Sequence, residues 1–303
     1  MKVAVIDLGT NSVRFDVFEV DEDGEILQIE KEREMIRLGE DLFLSGTLSA
    51  KAISRAIESL RKFRSACDEI KVDRIVAVGT SALREAKNGT ELAQLAKKTV
   101  GIELSIISGT EEAQLIAEGI LANEPNLEGK FLLIDIGGGS AEVSVVSRKA
   151  VVESTSLPLG ALRLQQLFFK SGPPVDPNRE DQARAFIRQT IAEAVPMPPL
   201  YPLRLAIGSS GSVRALAKLR PEDKEERCFT KRHLIDLLDE MRPLKIDGLC
   251  AIPGMEEKRA DIIFVGALAL YEIMNYFGVE EVVASKFSLR HGLLARELKK
   301  KKR

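Results

Sequence analysis

The sequence predicts an α/β protein built from two similar domains that face each other across a cleft. Two observations carry this. A strand–turn–strand unit occurs twice, and each copy opens a run in which strands and helices alternate. Val3-Ala4-Val5-Ile6-Asp7-Leu8-Gly9-Thr10-Asn11-Ser12 is the first copy, and Leu132-Leu133-Ile134-Asp135-Ile136-Gly137-Gly138-Gly139-Ser140 is the second. Asp7, Gly9 and Ser12 correspond to Asp135, Gly137 and Ser140 at one constant offset. After each turn apolar residues alternate, as Val13, Phe15 and Val17 and again as Val143 and Val145, which marks a half-buried strand. Each copy is a hydrophobic strand ending in a carboxylate, a glycine-containing turn and a returning strand.

Residues 1–31 read as a three-stranded meander, with Asp21-Glu22-Asp23-Gly24 as the turn between its second and third strands. Ile53, Ile57, Leu60 and Phe63 recur at helical spacing and predict a helix over about 49–66. Arg74–Val78 is a short strand, a helix runs from about Thr90 to Val100, and Glu103–Ile107 is a strand. A further helix spans about Ser108–Ala122, so the order is βββαβαβα. Glu124–Gly129 reads as the connection between domains. Strands are expected near 131–136, 141–147 and 150–156, with a helix at Leu159–Phe169. Pro173–Pro177 and Pro196–Pro202 punctuate the chain. Leu203–Ile207 is a strand entering Gly208-Ser209-Ser210-Gly211-Ser212 and a helix, about 256–277 is one long helix, Glu281–Ala284 a strand and Leu289–Lys300 the last helix. The expected domains are 1–123 and 124–288, with the C-terminal helix, about 289–303, packing back on the first.

With 303 residues and 45% apolar content the chain can bury two ordinary cores. The net charge of −2 argues against a general nucleic-acid binder but leaves room for a local basic site. No apolar run approaches the ~20 residues of a spanning helix, so no membrane role is expected. The chain enters a strand at once, and a cytoplasmic protein without a signal peptide is expected. Cys67, Cys228 and Cys250 lack zinc spacing, and with only His233 and His291 any metal must be held by oxygen.

Small residues at a turn let backbone N–H groups approach an anion, and paired carboxylates suit a hard cation. Asp7 and Asp135 end their strands at the expected cleft, where Mg²⁺ shared with phosphates would suit them; the alternative is that each caps its own turn. Ser108 and Glu111 fit a capping box, Glu111 reaching back to the Ser108 N–H. Glu112 lies about 100° further round the helix and is preferred as a general base, against a plain role in compensating the helix dipole. Glu142 and Arg14 occupy matching places in the two hairpins, either dividing labour between water or metal and phosphate, or standing as solvated strand-face charges. Arg84 sits where a strand hands over to a helix, the edge at which α/β sheets take ligands, and its planar fork suits a terminal phosphate. Gly208–Ser212 is a second strand–glycine–helix turn, either a phosphate cradle or a plain tight turn.

These blocks resemble the exopolyphosphatase/guanosine-pentaphosphate phosphohydrolase family. The resemblance is carried by Asp7–Ser12, Gly79–Asn88, Ile107–Ala113, Asp135–Glu142, Leu157–Gly160, Gly208–Ser212, Ile252–Arg259 and Leu289–Leu293, in order from Val3 to about Leu294. It implies two ribonuclease-H-like domains of the actin-like ATPase class flanking a cleft. It implies Glu112 as catalytic glutamate, Glu142 as a water- or metal-associated glutamate and Arg84 as a phosphate-binding arginine. Asp7 and Asp135, with Glu142, would be the metal-associated carboxylates. Phosphate would be held by Asn11, Ser12, Arg14, Gly138, Gly139, Ser140, Gly208, Ser209, Ser210, Gly211 and Arg290. Gln114, Ala141 and His291 depart from residues common in the family, which carries Arg, Thr and Glu at those places. The chain resembles the short, two-domain members.

The implied activity is release of terminal orthophosphate from inorganic polyphosphate, guanosine pentaphosphate or both, with Mg²⁺ or Mn²⁺, in a chain that can form a homodimer. The alternatives are a sugar or acetate kinase of the same fold and a non-catalytic nucleotide- or alarmone-binding protein. The Ser108–Ala113 helix start favours hydrolysis over both.

Overall fold

The structure is a computed structural model that describes residues 1–124, 126–197, 203–219 and 227–301. In chain order the elements are β1 (Lys2–Leu8), β2 (Val13–Val20), β3 (Ile26–Glu34), α1 (Leu42–Ser45), α2 (Ala50–Ile70), β4 (Arg74–Gly79), α3 (Ser81–Glu85), α4 (Gly89–Val100), β5 (Leu104–Ile106) and α5 (Gly109–Asn123). Then come β6 (Lys130–Ile136), β7 (Ala141–Ser147), β8 (Ala150–Leu157), α6 (Ala161–Phe168), α7 (Pro177–Ala194), β9 (Arg204–Gly208) and α8 (Gly211–Lys218). The chain closes with β10 (Cys228–Thr230), α9 (Lys231–Met241), α10 (Ile246–Ala251), α11 (Ile263–Phe277), β11 (Val279–Ala284) and α12 (Leu289–Lys301). Two compact units result: Met1–Asn123 with Leu289–Arg303, and Glu124–Ser288.

The first unit holds a sheet in the order β3-β2-β1-β4-β5. Its first three strands pair antiparallel and β1, β4 and β5 run parallel, the ribonuclease-H-like arrangement. The second unit repeats it as β8-β7-β6-β9-β11 and adds β10 as an antiparallel edge. The two-sheet α/β class expected from the sequence is therefore present, with the repeated hairpin at the centre of each sheet.

Strand alternation decides which face does what. In the first unit Ala4, Ile6, Leu8, Val13, Phe15 and Val17 point into a core with α2 and α4, where Phe15 stacks on Phe63 at 4.8 Å. Val3, Val5 and Asp7, with Arg14, Asp16 and Phe18 opposite them on β2, occupy the other face. There α12 packs against α5 and β1. A Cβ on Gly292 would stand 1.9 Å from the Leu115 carbonyl oxygen, so only glycine lets the α12 backbone lie this close to α5. In the second unit Leu132, Ile134, Ile136, Ala141 and Val143 enter the core with α7, α8, α9 and the buried α11. Asp135 and Glu142 stand on the opposite face, as Asp7 and Arg14 do in the first.

Several helices went unread in the sequence. Proline at 173–177 reads as punctuation, yet Pro177 occupies the first turn of α7, behind the N-cap Asp176 whose side chain accepts from the Asn178 N–H at 2.8 Å. α9 and α10 also lie where no element was assigned, and α9 starts from Thr230 in a capping box completed by the His233 ring. The single helix expected over 256–277 is broken. Glu257–Arg259 is a 3-10 turn, and α11 begins at Ile263. The chain entering this stretch is anchored to α8: a Cβ on Gly254 would meet the Lys218 carbonyl at 2.3 Å, and Lys218 Nζ pairs with Glu256 at 2.9 Å. α2 runs one turn beyond expectation because Cys67 extends its buried face before Lys71 turns left-handed. The proline stretch from 196 lies outside the described residues beyond 197.

An ion network on two buried glutamates ties the helices of the second unit together. Arg184 bridges Glu180 (2.7 Å) and Glu272 (2.6 Å), Arg188 joins Glu272 (2.7 Å), and Arg242 joins Glu180 (2.8 Å). Burial alone would raise the Glu180 pKa, but the hydrogen bonds from Arg242 and Arg184 outweigh it and the value is lowered. Glu180→Gln is therefore expected to destabilise the protein by roughly 2–3 kcal/mol near neutral pH. The contribution is complete above the ordinary glutamate value and is lost as pH falls through the lowered folded value. Denaturant unfolding of both proteins near neutrality and near pH ~3 checks this, because the gap between them must narrow in acid.

Candidate active site

The two central hairpins close in the same way. Gly9 N–H donates to the Ser12 carbonyl at 3.1 Å, and Gly137 N–H donates to the Ser140 carbonyl at 2.9 Å. The carbonyls inside each turn are drawn to one side. Those of Thr10 and Asn11 accept from Gly39 N–H (2.8 Å) and Arg37 N–H (2.9 Å). Those of Gly137 and Gly138 accept from the first amides of α6, Ala161 and Leu162, both at 2.9 Å, and Gly139 accepts from Arg163 Nε at 2.7 Å. The N–H groups of Thr10, Asn11, Ser12, Gly138, Gly139 and Ser140 take no hydrogen-bond partner among the described residues. A turn with its carbonyls tied back and its amides unpaired has the donor arrangement that suits an anion.

The Gly208–Ser212 turn lies beside the second hairpin, because β9 runs parallel to β6 with Gly208 paired to Ile134. Ser209 N–H donates to the Ile134 carbonyl at 3.0 Å, and the fully buried Ser209 hydroxyl donates to Asp135 Oδ2. Ser210 caps α8 by accepting from the Val213 N–H at 3.0 Å, and Arg214 Nη1 donates to the Ser209 carbonyl at 2.7 Å. Asp135 faces Glu142 directly across β6 and β7. Glu142 is buried and its Oε1 accepts from the Ser156 hydroxyl at 2.7 Å. Sequence reading missed Ser156, which carries no motif of its own; its place opposite Glu142 comes only from the β7–β8 register.

In the first unit the structure brings Arg84 and Glu112 together. α3 presents Arg84 just after β4, and the Ile107 N–H bonds to Gly79 at 3.1 Å, which brings the start of α5 alongside. Arg84 Nη1 donates to the Ile107 carbonyl at 3.0 Å and to Glu112 Oε2 at 3.1 Å. Its Nε and Nη2 make no hydrogen bond among the described residues. Glu112 is buried, with 8% of its surface exposed, and a carboxylate there needs such a partner.

Glu111 corrects one expectation. The Ser108 hydroxyl does accept from the Glu111 N–H at 3.1 Å, but the Glu111 carboxylate turns to Arg296 Nη1 at 3.1 Å instead of completing the capping box. Arg296 also holds both Glu118 oxygens at 3.0 Å, so α12 competes for the side chain with a charged fork that a backbone N–H cannot match.

Asp7 lies opposite Arg14, and Arg290 Nη1 approaches its Oδ2 at 3.9 Å. Burial raises the Asp7 pKa, Arg14 and Arg290 oppose that rise, and Asp16 adds to it. Arg290 itself is buried and its Nε donates to Asp16, so its guanidinium is engaged by carboxylates of its own unit. Asp16 had no place in the sequence reading, although a carboxylate between Phe15 and Val17 in an alternating strand was the available signal. His291 packs edge-on to Phe18 at 5.8 Å. Ala141 is buried in the core and Gln114 is exposed.

Among the described residues no three His, Cys, Asp or Glu side chains gather closely enough to hold a metal alone. Mg²⁺ is commonly held by one or two carboxylates with phosphate oxygens and water completing its shell. The Asp135–Glu142 pair, adjacent on one face, fits that pattern, and Asp7 offers a single carboxylate at the matching strand position, with Arg14 opposite it. No helix among the described residues is long and apolar enough to cross a membrane.

The profile of the Ppx/GppA phosphatase family matches residues 17–301, and the chain belongs to that family. It is 28% identical over 299 residues to the bifunctional 3-dehydroquinate synthase/phosphatase of Fusobacterium nucleatum, covering 93% of this chain and 44% of that protein. The chain thus spans less than half the length of that relative. It is 26% identical over 294 residues to a putative exopolyphosphatase of Haemophilus influenzae, covering 97% of this chain and 90% of that one. The crystal structure of an exopolyphosphatase from Cytophaga hutchinsonii superposes with a TM-score of 0.88 at 25% identity, covering 99% of this chain and 98% of the other.

Gly160 is the position on which the second turn leans most heavily. A Cβ there would stand 2.3 Å from Gly139 N and C, so Gly160→Ala must push α6 away from the turn. It is expected to cost about 1–3 kcal/mol in stability. Orthophosphate binding, measured by calorimetry on folded protein, should weaken along with it.

Proposed function

We propose that this chain hydrolyses terminal phosphoanhydride bonds and releases orthophosphate, with inorganic polyphosphate as the substrate we favour. The observation that carries the proposal is the Arg84–Glu112 pair. One guanidinium nitrogen orients the glutamate, and the opposite edge of the same fork is left for a phosphate oxygen. Base and phosphate ligand are thereby set at a fixed spacing, which is what in-line attack on a terminal phosphate requires.

In this reading Glu112 takes a proton from water as the water oxygen bonds to the terminal phosphorus. The bond from that phosphorus to the bridging oxygen breaks, and the shortened chain leaves with the electron pair. The proton held on Glu112 then passes to solvent. Arg84 compensates charge on the departing phosphoryl group. The amides of Asn11 and Ser12 in one unit, and of Gly138, Gly139, Ser140 and the Ser210–Gly211 turn in the other, are phosphate-holding groups, with Arg14 alongside. Asp7, Asp135 and Glu142 would hold Mg²⁺ or Mn²⁺, which neutralises phosphate oxygens when bound. The exopolyphosphatases to which the chain is similar support polyphosphate as substrate. Guanosine pentaphosphate ends in the same bond and is the competing substrate within this reading.

Phosphate release measured in parallel on polyphosphate, guanosine pentaphosphate and ATP tests the proposal. Release from polyphosphate is expected, and no release from any of the three with Mg²⁺ or Mn²⁺ present would sink it. Excess EDTA should abolish turnover. Glu112→Gln should keep the fold and lower turnover by roughly 10²–10⁴-fold. Arg84→Ala should harm short chains proportionally more than long ones, since a long chain retains its other electrostatic contacts; equal loss at every length would remove the terminal-phosphate role.

A further inference from the structure

Two acids and two bases share one patch of the first unit. Asp7 is paired with Arg14, and Asp16 with Val5, so the two carboxylates are diagonal neighbours on one face of β1 and β2. Arg290 enters between them from α12. Asp16 is 1% exposed and Arg290 4% exposed, so this charge pattern is set in a poorly solvated place.

The geometry of the fork is unequal. Arg290 Nε bonds Asp16, while Nη1 points toward Asp7 at 3.9 Å and donates no hydrogen bond among the described residues. Asp16 Oδ1 is likewise left without a hydrogen bond. A structural Arg–carboxylate pair frequently closes both prongs on one carboxylate. Here one prong is committed to Asp16 and the other stands 3.9 Å from Asp7, too far for a hydrogen bond.

We infer that Asp16 is a positioning residue: it holds Arg290 and cancels its charge, so that Asp7 stays available to a divalent cation instead of closing an ion pair with the arginine. The inference rests on the reading above that Asp7 helps hold that cation. Without Arg290, two desolvated carboxylates would repel each other. Without Asp16, the buried guanidinium would have Asp7 as its nearest counter-ion, and a cation would have to displace it.

Asp16→Asn tests this, because the amide oxygen can still accept from Arg290 Nε while the charge is gone. The cation concentration for half-maximal phosphate release should rise about tenfold or more, with turnover at saturating Mg²⁺ changed only a few-fold. Mn²⁺ binding followed by electron paramagnetic resonance, with orthophosphate present, should weaken by the same factor. Adding Arg290→Met to Asp16→Asn removes the unbalanced positive charge and should return the cation requirement to the wild-type level or below it. A merely structural role would lower stability or turnover without moving the cation requirement, and the double variant would then be worse than the single one. Wild-type cation dependence in Asp16→Asn overturns the inference, as does a wild-type protein that binds no Mn²⁺. If Asp16→Asn does not fold, the double variant decides: a tenfold weakened cation dependence there overturns the inference. A wild-type protein that binds Mn²⁺ but releases no phosphate sinks the hydrolase reading and leaves the binding comparison in force. Hydrolysis with unchanged cation dependence in Asp16→Asn sinks this inference alone.

Discussion

A carboxylate placed at the end of a central β-strand is shielded by the sheet and by whatever covers the sheet. Its ionised form then has to be held by neighbours, because an unpaired buried charge costs several kcal/mol. Both units are arranged around this constraint. In the first, Asp7 meets Arg14 across the hairpin and Arg290 from the last helix. In the second, Asp135 meets the Ser209 hydroxyl from the neighbouring parallel strand and faces Glu142. The same strand position is thus answered by cations in one unit and by a hydroxyl in the other. That difference in electrostatics separates two otherwise repeated hairpins.

The glycine turns follow from the same economy. Under the phosphate-holding role proposed for them, each turn has to present amides without leaving carbonyls exposed beside them, since a carbonyl next to an anion would repel it. The second turn solves this by giving its carbonyls to the N-terminus of α6, and the first by giving them to Arg37 and Gly39. Gly160 permits the former because α6 lies against the turn backbone with no room for a Cβ. The Leu157–Gly160 block is therefore part of the turn's construction, although nearly twenty residues separate it from Gly139.

The last helix does comparable work for the first unit. α12 reaches Asp16 and Asp7 through Arg290, and Glu111 and Glu118 through Arg296, while Gly292 lets its backbone touch α5. It therefore steadies both the strand end that carries Asp7 and the helix start that carries Glu112. One helix from the far end of the chain governs two candidate groups that the sequence presents as unrelated.

The repeated Asp–Gly–Ser pattern determined the hairpins and the face on which each carboxylate stands, because side-chain alternation in a strand depends only on the order of residues. The helix start at Ser108 and the handover at Arg84 were legible for the same reason: capping and turn chemistry are local. Helix α7 was not, because Pro177 at a first turn looks like a breaker until the chain around it is seen, and α9 and α10 were not read either. Tertiary structure alone decided the partners. It gave Arg296 to Glu111, Ser156 to Glu142, Ser209 to Asp135 and Asp16 to Arg290. All but the Ser156 contact span more than seventy positions. Local sequence cannot express such pairings, because what selects them is the cost of leaving a buried charge unanswered, and burial exists only once the chain has folded.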